Sequence, residues 1–198
     1  MKKSGIILSS IILSSSLLFA GKSSFINQDT KVFMKSDAKK EIGKIDTATP
    51  IEVLSSIGNF REIKVTGWAS YGFENVLFKD IGQRIFYLVL KDNKTKKAKE
   101  LAKGTDSFGS EWRKVSYKVW VNKTSLSKKI NDIDKKGQEL FASRCGACHA
   151  SPEVQHYTAN QWPSIIEAMK PRAGLSSQEA QFINKYLQRK TVKGSNHE

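Results

Sequence analysis

The pattern of apolar and polar residues changes partway along the chain, and this change predicts two parts with different structure. Between residues 30 and 126, short apolar runs recur, several alternate with polar residues, and Gly, Asn, Asp or Ser separates them. Such runs are typical of half-buried antiparallel strands. Strands are predicted at residues 32–34, 51–54, 60–65, 85–90 and 112–121. A Lys-rich stretch at residues 91–103 predicts a solvated loop.

A weak internal repeat runs through the strand part. Each copy has an aromatic residue, then Arg, then an aliphatic residue, with Trp eight residues after the first aromatic; the copies begin at Phe60 and Trp112, an offset of 52 residues. The repeat resembles the closing hairpin of bacterial SH3-like domains, in which a Gly-Trp turn follows a strand. Gly67-Trp68 matches that turn, whereas Val119-Trp120 lacks the glycine. The pattern leaves open whether the strands form two small barrels or one elaborated barrel.

The second part of the chain has helical periodicity. The polar stretch at residues 122–136 separates the two patterns, and we place a domain boundary within it. One helix is predicted to run through Gly137 and Phe141 into Cys145. A second begins near Asn160, because Pro163 is tolerated only in the first turn of a helix.

The third predicted helix has an N-terminal signal and an apolar face. Ser176 and Glu179 have the spacing of a capping box. Apolar residues then recur at helical spacing, at positions 180, 182, 183, 186 and 187. The chain is therefore predicted to have an α+β fold, with a β region at residues 21–128 and a small all-α domain at residues 129–198.

The first 20 residues have the organisation of a secretory signal peptide. Lys2 and Lys3 precede an apolar run from Gly5 to Phe19, and small residues follow the run. The run has about 15 residues, whereas a membrane-spanning helix needs about 20. We therefore expect residues 1–20 to direct export to the periplasm and to be removed. An uncleaved membrane anchor is the alternative.

The charge of the chain constrains its partners. Its 198 residues carry a formal net charge of +14. In an exported protein this charge favours an acidic protein partner or an anionic membrane surface over nucleic acid. The charge predicts electrostatic steering of a partner without identifying it.

The segment Cys145-Gly146-Ala147-Cys148-His149 contains both cysteines of the chain and has the spacing of a covalent haem attachment site. Each cysteine would join one vinyl group of the porphyrin, and His149 would be the proximal iron ligand. A thioredoxin-like redox pair would need a βαβ context, and a zinc site would need a second pair of ligands. A disulfide between two cysteines separated by only two residues would add little stability to so large a chain. The motif therefore predicts one covalent haem c.

A haem domain also needs a group on the distal side of the iron, and Met169 is the main candidate. It lies 20 residues after His149 and shares a helical face with Trp162, Ile165 and Ile166. Plain core packing is the competing interpretation of a methionine in such a position. His156 and His197 are the alternative ligands. A thioether ligand raises the reduction potential relative to a second histidine. An iron with both axial positions filled has no open position for a substrate, which predicts an electron carrier rather than an enzyme.

The helical part resembles a class I cytochrome c. Gly137 and Phe141 lie eight and four residues before Cys145, which is the spacing in the first helix of that family. In that family these two residues meet an aromatic residue of the last helix. The resemblance identifies this aromatic residue as Tyr186.

A longer stretch is similar to the C-terminal part of the multihaem c-type cytochromes that serve trimethylamine-N-oxide reductases. The similarity rests on Gly82-Gln83-Arg84-Ile85, the strands after Trp112, the CxxCH motif, and residues 158–163 and 169–172. Those proteins carry a preceding tetrahaem part that oxidises quinol, whereas this chain has one CxxCH motif. The resemblance implies a periplasmic monohaem carrier between a quinol-linked donor, either a cytochrome or a membrane complex, and a molybdopterin reductase.

Two other functions stay open on the sequence. One is a haem-based sensor or ligand-binding module whose sixth iron position is vacant or labile. The other is a wall-associated protein whose SH3-like region binds peptidoglycan. The sequence favours the carrier, with Cys145, Cys148, His149 and Met169 as its haem-site residues and no catalytic residue.

Overall fold

The computed structural model describes residues 22–94, 97–146 and 150–191. Within these ranges a strand-rich part precedes a helical part, so the protein is a mixed, sheet-rich structure with few helices. The strands are β1 (Lys22–Ile26), β2 (Thr30–Phe33), β3 (Glu41–Ile45), β4 (Pro50–Ile57), β5 (Phe60–Ser70), β6 (Val76–Asp80), β7 (Gln83–Leu90), β8 (Lys99–Thr105), β9 (Glu111–Asn122) and β10 (Leu126–Ser127). The helices are α1 (Ile130–Leu140), α2 (Trp162–Met169) and α3 (Ser177–Lys190).

The strands form one antiparallel sheet whose pairing returns on itself. From β5 the pairing proceeds through β6, β7, β3 and β2 to β9, and β9 pairs again with β5. One apolar core collects residues from β1 to β7 and from β9, including the fully buried Ile63, Val65, Leu88 and Val119. Alternating burial along β5 and β9 produces this core, as the period of two in a half-buried strand requires. The SH3-like assignment of this region stays a prediction.

The two copies of the internal repeat pair directly with each other. They lie in β5 and β9, which are antiparallel neighbours along their whole lengths. Trp68 of the first copy lies opposite Lys114 of the second, and Trp120 of the second lies opposite Glu62 of the first. Lys114 and Glu62 occupy equivalent positions of the repeat. The two paired copies therefore have a local twofold arrangement.

The turn predicted at Gly67-Trp68 is wrong. Both residues lie inside β5, and the chain turns only after Ser70. A side chain at position 67 would place its Cβ 2.7 Å from the carbonyl oxygen of Phe78 and 3.1 Å from the Leu77 Cβ. Glycine is therefore required because β5 and β6 approach closely here, and not because the backbone reverses direction.

The loop predicted at residues 91–103 is also partly wrong. Residues from Lys99 onward form β8, which pairs with β9 at the edge of the sheet. Every residue of β8 except Gly104 is exposed, so the strand lacks the apolar alternation that predicts a strand from sequence. Its charged residues are typical of edge strands, which must resist pairing with other chains.

The three predicted helices are confirmed. The N-terminus of α3 has the predicted capping box, in which the Ser176 hydroxyl accepts from the Glu179 N–H and the Glu179 carboxylate accepts from the Ser176 N–H. Pro163 lies in the first turn of α2, where its missing N–H costs no hydrogen bond. The apolar face of α3 buries Ala180, Phe182 and Ile183 among other residues.

Polar contacts join the helical part to the sheet. Lys185 of α3 is 3% exposed and donates to the carbonyl of Phe86 in β7 at 2.7 Å. The side chain of Asn160 accepts from the N–H of Arg84 and donates to the carbonyl of Gly82. These contacts set the position of the helices, and with them the site described next, relative to the strands.

In the part of the chain that the structure describes, no helix has the length and apolar character needed to cross a membrane. The predicted signal peptide lies outside the described residues.

Candidate haem site

The chain reaches the CxxCH motif through a helical segment that widens at its end. Helix α1 continues directly into a π-helical turn at Phe141–Cys145, after which Gly146 donates to the carbonyl of Ala142. Such turns occur frequently at functional sites in helices. Cys145 is thereby placed at the end of the segment, with its side chain half-buried. Cys148 and His149 lie outside the described residues.

Helices α1 and α3 cross at a glycine. A Cβ at Gly137 would lie 2.5 Å from the Tyr186 Cβ and 2.6 Å from the carbonyl oxygen of Phe182. This contact confirms the meeting of Gly137 with the last helix that the class I resemblance implies. The close crossing carries Phe141, one turn further on, into the same core as α3.

An apolar cavity of about 280 Å³ opens beside this crossing. Cys145 and Met169, both predicted haem-site residues, line it together. The remaining lining residues come from the π-helical turn, α2 and the connecting segments: Phe141, Arg144, Pro152, Tyr157, Trp162, Ile165, Ile166, Arg172 and Ala173. The volume is near the lower end of the range for ligand pockets.

Three aromatic rings form one wall of the cavity. Trp162 is fully buried and makes edge contacts with Tyr157, at 4.9 Å between ring centroids, and with Phe141, at 6.1 Å. The Trp162 Nε1 donates to the carbonyl of Val154 and to the Thr191 hydroxyl, both at 3.1 Å. The hydrogen bonds satisfy the polar atom of the ring, so its apolar surface can face the core.

This geometry distinguishes between the candidates for the distal iron ligand. Met169 lies at the end of α2 on the cavity wall, on the same side of the helix as Ile165 and Ile166. His156 is exposed on a short 3₁₀ helix, where its ring contacts Tyr157, and it does not line the cavity. His197 lies outside the described residues. The assignment of Met169 as iron ligand stays a prediction.

The cavity rim carries positive charge. Arg144 forms an ion pair of 2.8 Å with Glu179, while Arg172 is exposed where the cavity meets solvent. Burial raises the pKa of the Cys145 thiol, so a thiol that is not bonded to a haem is protonated at neutral pH. Two guanidinium groups beside apolar walls suit a flat apolar ligand with anionic substituents at its edge.

Arg144, Pro152 and Ala173 are lining residues that sequence reasoning missed. Arg144 directly precedes the first cysteine, and its position next to the motif was the available signal. Pro152 and Ala173 lie in irregular segments without apolar periodicity. Nothing in the local pattern indicates that these segments fold over the end of α2.

These residues fit a covalently attached haem. A covalently attached haem would need apolar walls and a thiol to bond to, and the cavity supplies Cys145 within apolar surroundings, with the Met169 thioether as a candidate iron ligand. Cysteine and thioether sulfurs are ligating or linking groups that suit iron porphyrins. The cavity, reached by a helix with class I spacing, has the features expected of a cytochrome c-type protein.

Comparison with known families agrees with this class. The model of the TorC third cytochrome c domain matches residues 19–126, which is more than half of the chain. The chain therefore belongs to the family of the TorC third cytochrome c domain. The matched segment covers the sheet through Leu126 and ends before Cys145, so the family match rests on the strands and not on the CxxCH motif.

Two relatives are similar to this chain over stretches longer than the family match. The cytochrome c-type protein TorC of Escherichia coli K12 is 29% identical over 159 residues, which are 79% of this chain and 41% of that protein. The cytochrome c-type protein TorY of Haemophilus influenzae is 30% identical over 124 residues, 62% of this chain and 34% of that protein. The chain thus spans well under half of these relatives. No solved structure matches the chain.

Proposed function

We propose that this chain is a periplasmic monohaem c-type cytochrome that carries single electrons to a molybdenum reductase of the trimethylamine-N-oxide or S-oxide type. The observation that carries the proposal is the shared cavity of Cys145 and Met169. Cys145 and Cys148 would hold the porphyrin, His149 would be the proximal ligand, and Met169 the distal one. The haem, when bound, supplies an iron that changes oxidation state by one electron.

The residues around the cavity have defined tasks in this proposal. Trp162, Tyr157 and Ile166 exclude water from the porphyrin face, which favours the less charged reduced state of the iron. Arg172 lies at the rim, where a propionate would emerge, and its guanidinium offers hydrogen bonds to a carboxylate. If His149 and Met169 both bind the iron, no position is open for a substrate, and the domain would transfer electrons only.

The names of the relatives support electron transfer by this chain. TorC and TorY are c-type cytochromes, and a membrane-linked donor upstream and a periplasmic molybdopterin enzyme downstream are the partners we propose for this chain. The residues at 21–128 form the proposed SH3-like region, and residues 129–198 the haem domain. We propose that the strand region contributes to docking of the reductase or the donor.

Covalent attachment is the first test. The chain is produced with its N-terminus in a host that matures c-type cytochromes, and the periplasmic product is examined by intact mass and by haem staining on a denaturing gel. We expect a mass increase of one haem and a stained band. The C145S/C148S variant should lose both, whereas S143A, altered two residues before the motif, should keep both. An unmodified wild-type polypeptide in such a host would refute the proposal.

Electron delivery is tested separately. The reduced protein is mixed with a purified trimethylamine-N-oxide reductase, and reoxidation of the haem is followed by stopped-flow absorbance. The rate should fall as salt rises, because the positive charge of the chain steers the encounter. Binding of carbon monoxide by the ferrous protein, together with an absence of electron transfer, would instead establish the haem sensor.

A further inference from the structure

A groove of about 320 Å³ lies where the sheet meets the helical part, and we call it the junction groove. Lys44 of β3 and Phe86 of β7 line it on the sheet side, and Pro163 of α2 lines it on the helix side. Neither Cys145 nor Met169 lines it, so it is separate from the haem cavity. Both parts of the chain are needed to form it.

The charged residues of the junction groove leave it positive. Its lining contains Lys44, Arg84 and Lys185 against one acidic residue, Asp46, which is a net formal charge of +2. Asp46 is buried, and its carboxylate lies 3.0 Å from the Lys185 ammonium and 3.6 Å from that of Lys44. The one negative charge is therefore compensated inside the groove.

Arg84 is held in place by its backbone while its side chain is exposed. Its N–H donates to the Asn160 side chain at 2.7 Å, and its carbonyl accepts from the Gln188 side chain at 3.2 Å. Among the residues that the structure describes, no carboxylate forms an ion pair with its guanidinium. Arg84 and the 58% exposed Lys44 side chain thus offer two cations at the groove rim.

The buried donors of the groove are already engaged. Lys185 donates to the carbonyl of Phe86 at 2.7 Å and pairs with Asp46, while the Gln188 side chain donates to two backbone carbonyls. A small-molecule site directs enclosed polar groups at its ligand. Here the available cations lie at the rim, where carboxylates on the surface of another protein reach them.

An apolar surface lies between the rim cations. Phe86 is 37% exposed and packs against Phe78, with 4.8 Å between the ring centroids. Val89 and Pro163 are half-buried beside it. An apolar centre with a charged rim is the organisation of a protein–protein interface, in which aromatic residues and arginine are enriched.

The junction groove is close to the haem cavity. Pro163 lines the groove, and Trp162, the preceding residue of α2, lines the cavity. Helix α3 presents Gln181 and Lys185 to the groove and packs Ile183 and Leu187 into the core beside the cavity. A protein seated in the groove would be separated from the cavity by one helix, about 10–12 Å across.

We infer that the junction groove is the docking surface for an acidic patch of the reductase. This inference rests on the proposed function and adds to it the surface that the acceptor occupies. Arg84 and Lys44 pair with carboxylates of the partner, and Phe86 is covered by an apolar side chain between them. Because electron transfer slows steeply with distance, docking beside the cavity suits a protein that delivers electrons.

The test uses the haem-loaded full chain and its K44E/R84E variant. The reduced protein is mixed with increasing concentrations of oxidised trimethylamine-N-oxide reductase, and haem reoxidation is followed by stopped-flow absorbance. The reductase concentration for half-saturation reports docking, and the limiting rate reports electron transfer in the complex. We expect the variant to raise the half-saturation concentration about tenfold or more and to leave the limiting rate unchanged. R84E alone should act in the same direction, without disturbing the contact of Lys44 with Asp46.

The matched control is K99E/K103E, which changes the net charge by the same amount. Both lysines are exposed on β8, which pairs with β9, and neither strand lines the groove. Circular dichroism, intact mass and reduction potential should be the same for all variants.

Equal half-saturation concentrations for K44E/R84E and K99E/K103E would overturn the inference and leave the proposed function standing. A lower limiting rate with an unchanged half-saturation concentration would do the same, because the substitutions would then act on the haem and not on docking. A wild-type protein that the reductase does not reoxidise would overturn both the inference and the proposed function.

Discussion

The Nζ of Lys185 lies 3.0 Å from the Oδ2 of Asp46, and both side chains are almost fully buried, at 3% and 5% exposure. Asp46 follows β3 and Lys185 belongs to α3, so this ion pair joins the sheet to the helical part. The Gln181 side chain also donates to Asp46, at 3.3 Å. Because two buried charges compensate each other here, the interface depends on both residues being present.

Replacing Lys185 by methionine should therefore destabilise the whole protein. The variant removes the buried cation of Asp46 and leaves only the exposed Lys44, at 3.6 Å, beside the carboxylate. Removal of one partner of a buried pair costs about 3–5 kcal/mol. Urea denaturation measures this loss. The control is K190M on the same helix, because Lys190 is half-exposed and pairs with Asp134 at 3.3 Å. A K185M variant as stable as K190M would show that the buried pair contributes nothing.

The crossing of α1 and α3 should not tolerate a side chain at Gly137. Alanine favours a helix over glycine by about 1 kcal/mol, yet its Cβ would overlap Tyr186 and the backbone of Phe182. We expect G137A to be less stable than wild type by about 1–3 kcal/mol in thermal or urea unfolding. Q138A changes the exposed neighbour on the same helix and should be close to neutral. A stabilised G137A would mean that the helices can separate without cost.

Met169 should determine the spectrum of the ferric haem. Removal of a thioether ligand abolishes the weak far-red absorption band of His/Met haem and lowers the reduction potential. Both effects are expected in M169A, measured by absorbance and by redox titration. I165A alters the same wall of the cavity and should keep the band. Loss of the band in H156A, with M169A unchanged, would assign the distal position to His156.

The capping box should make stability depend on acid pH. Hydrogen bonds from the Ser176 N–H and hydroxyl, with the Arg144 guanidinium, lower the pKa of Glu179 from its usual 4.5 to about 2. Since the folded-state pKa is the lower one, this stabilisation is present above about pH 4.5 and is lost as pH falls towards about 2.

Comparison of E179Q with wild type measures this contribution. The difference in unfolding free energy should be greatest near neutral pH and should shrink through that acid range. E167Q serves as the control, because the Glu167 carboxylate is exposed and lies 3.7 Å from Lys170. A difference between E179Q and wild type that stays constant with pH would contradict the role of the ionised carboxylate.

Much of the helical part could be predicted from local sequence. The capping box at Ser176, the position of Pro163 and the apolar spacing of α3 depend on neighbours within a few residues, so the sequence alone indicates them. The strands were harder to predict from the sequence. Short or exposed strands such as β3, β6 and β8 have little alternation of their own and are specified by their neighbours in the sheet.

The prediction of a haem at the CxxCH motif and the helical character of the C-terminal part come from the sequence itself, because both depend on residues close together in the chain. Only the tertiary structure decided that Cys145 and Met169 line one cavity, that the two repeat copies pair as β5 and β9, and that Lys185 meets Asp46. These relationships join residues 24 to 139 positions apart. Their formation depends on the total burial and pairing of the whole chain, which no local pattern records.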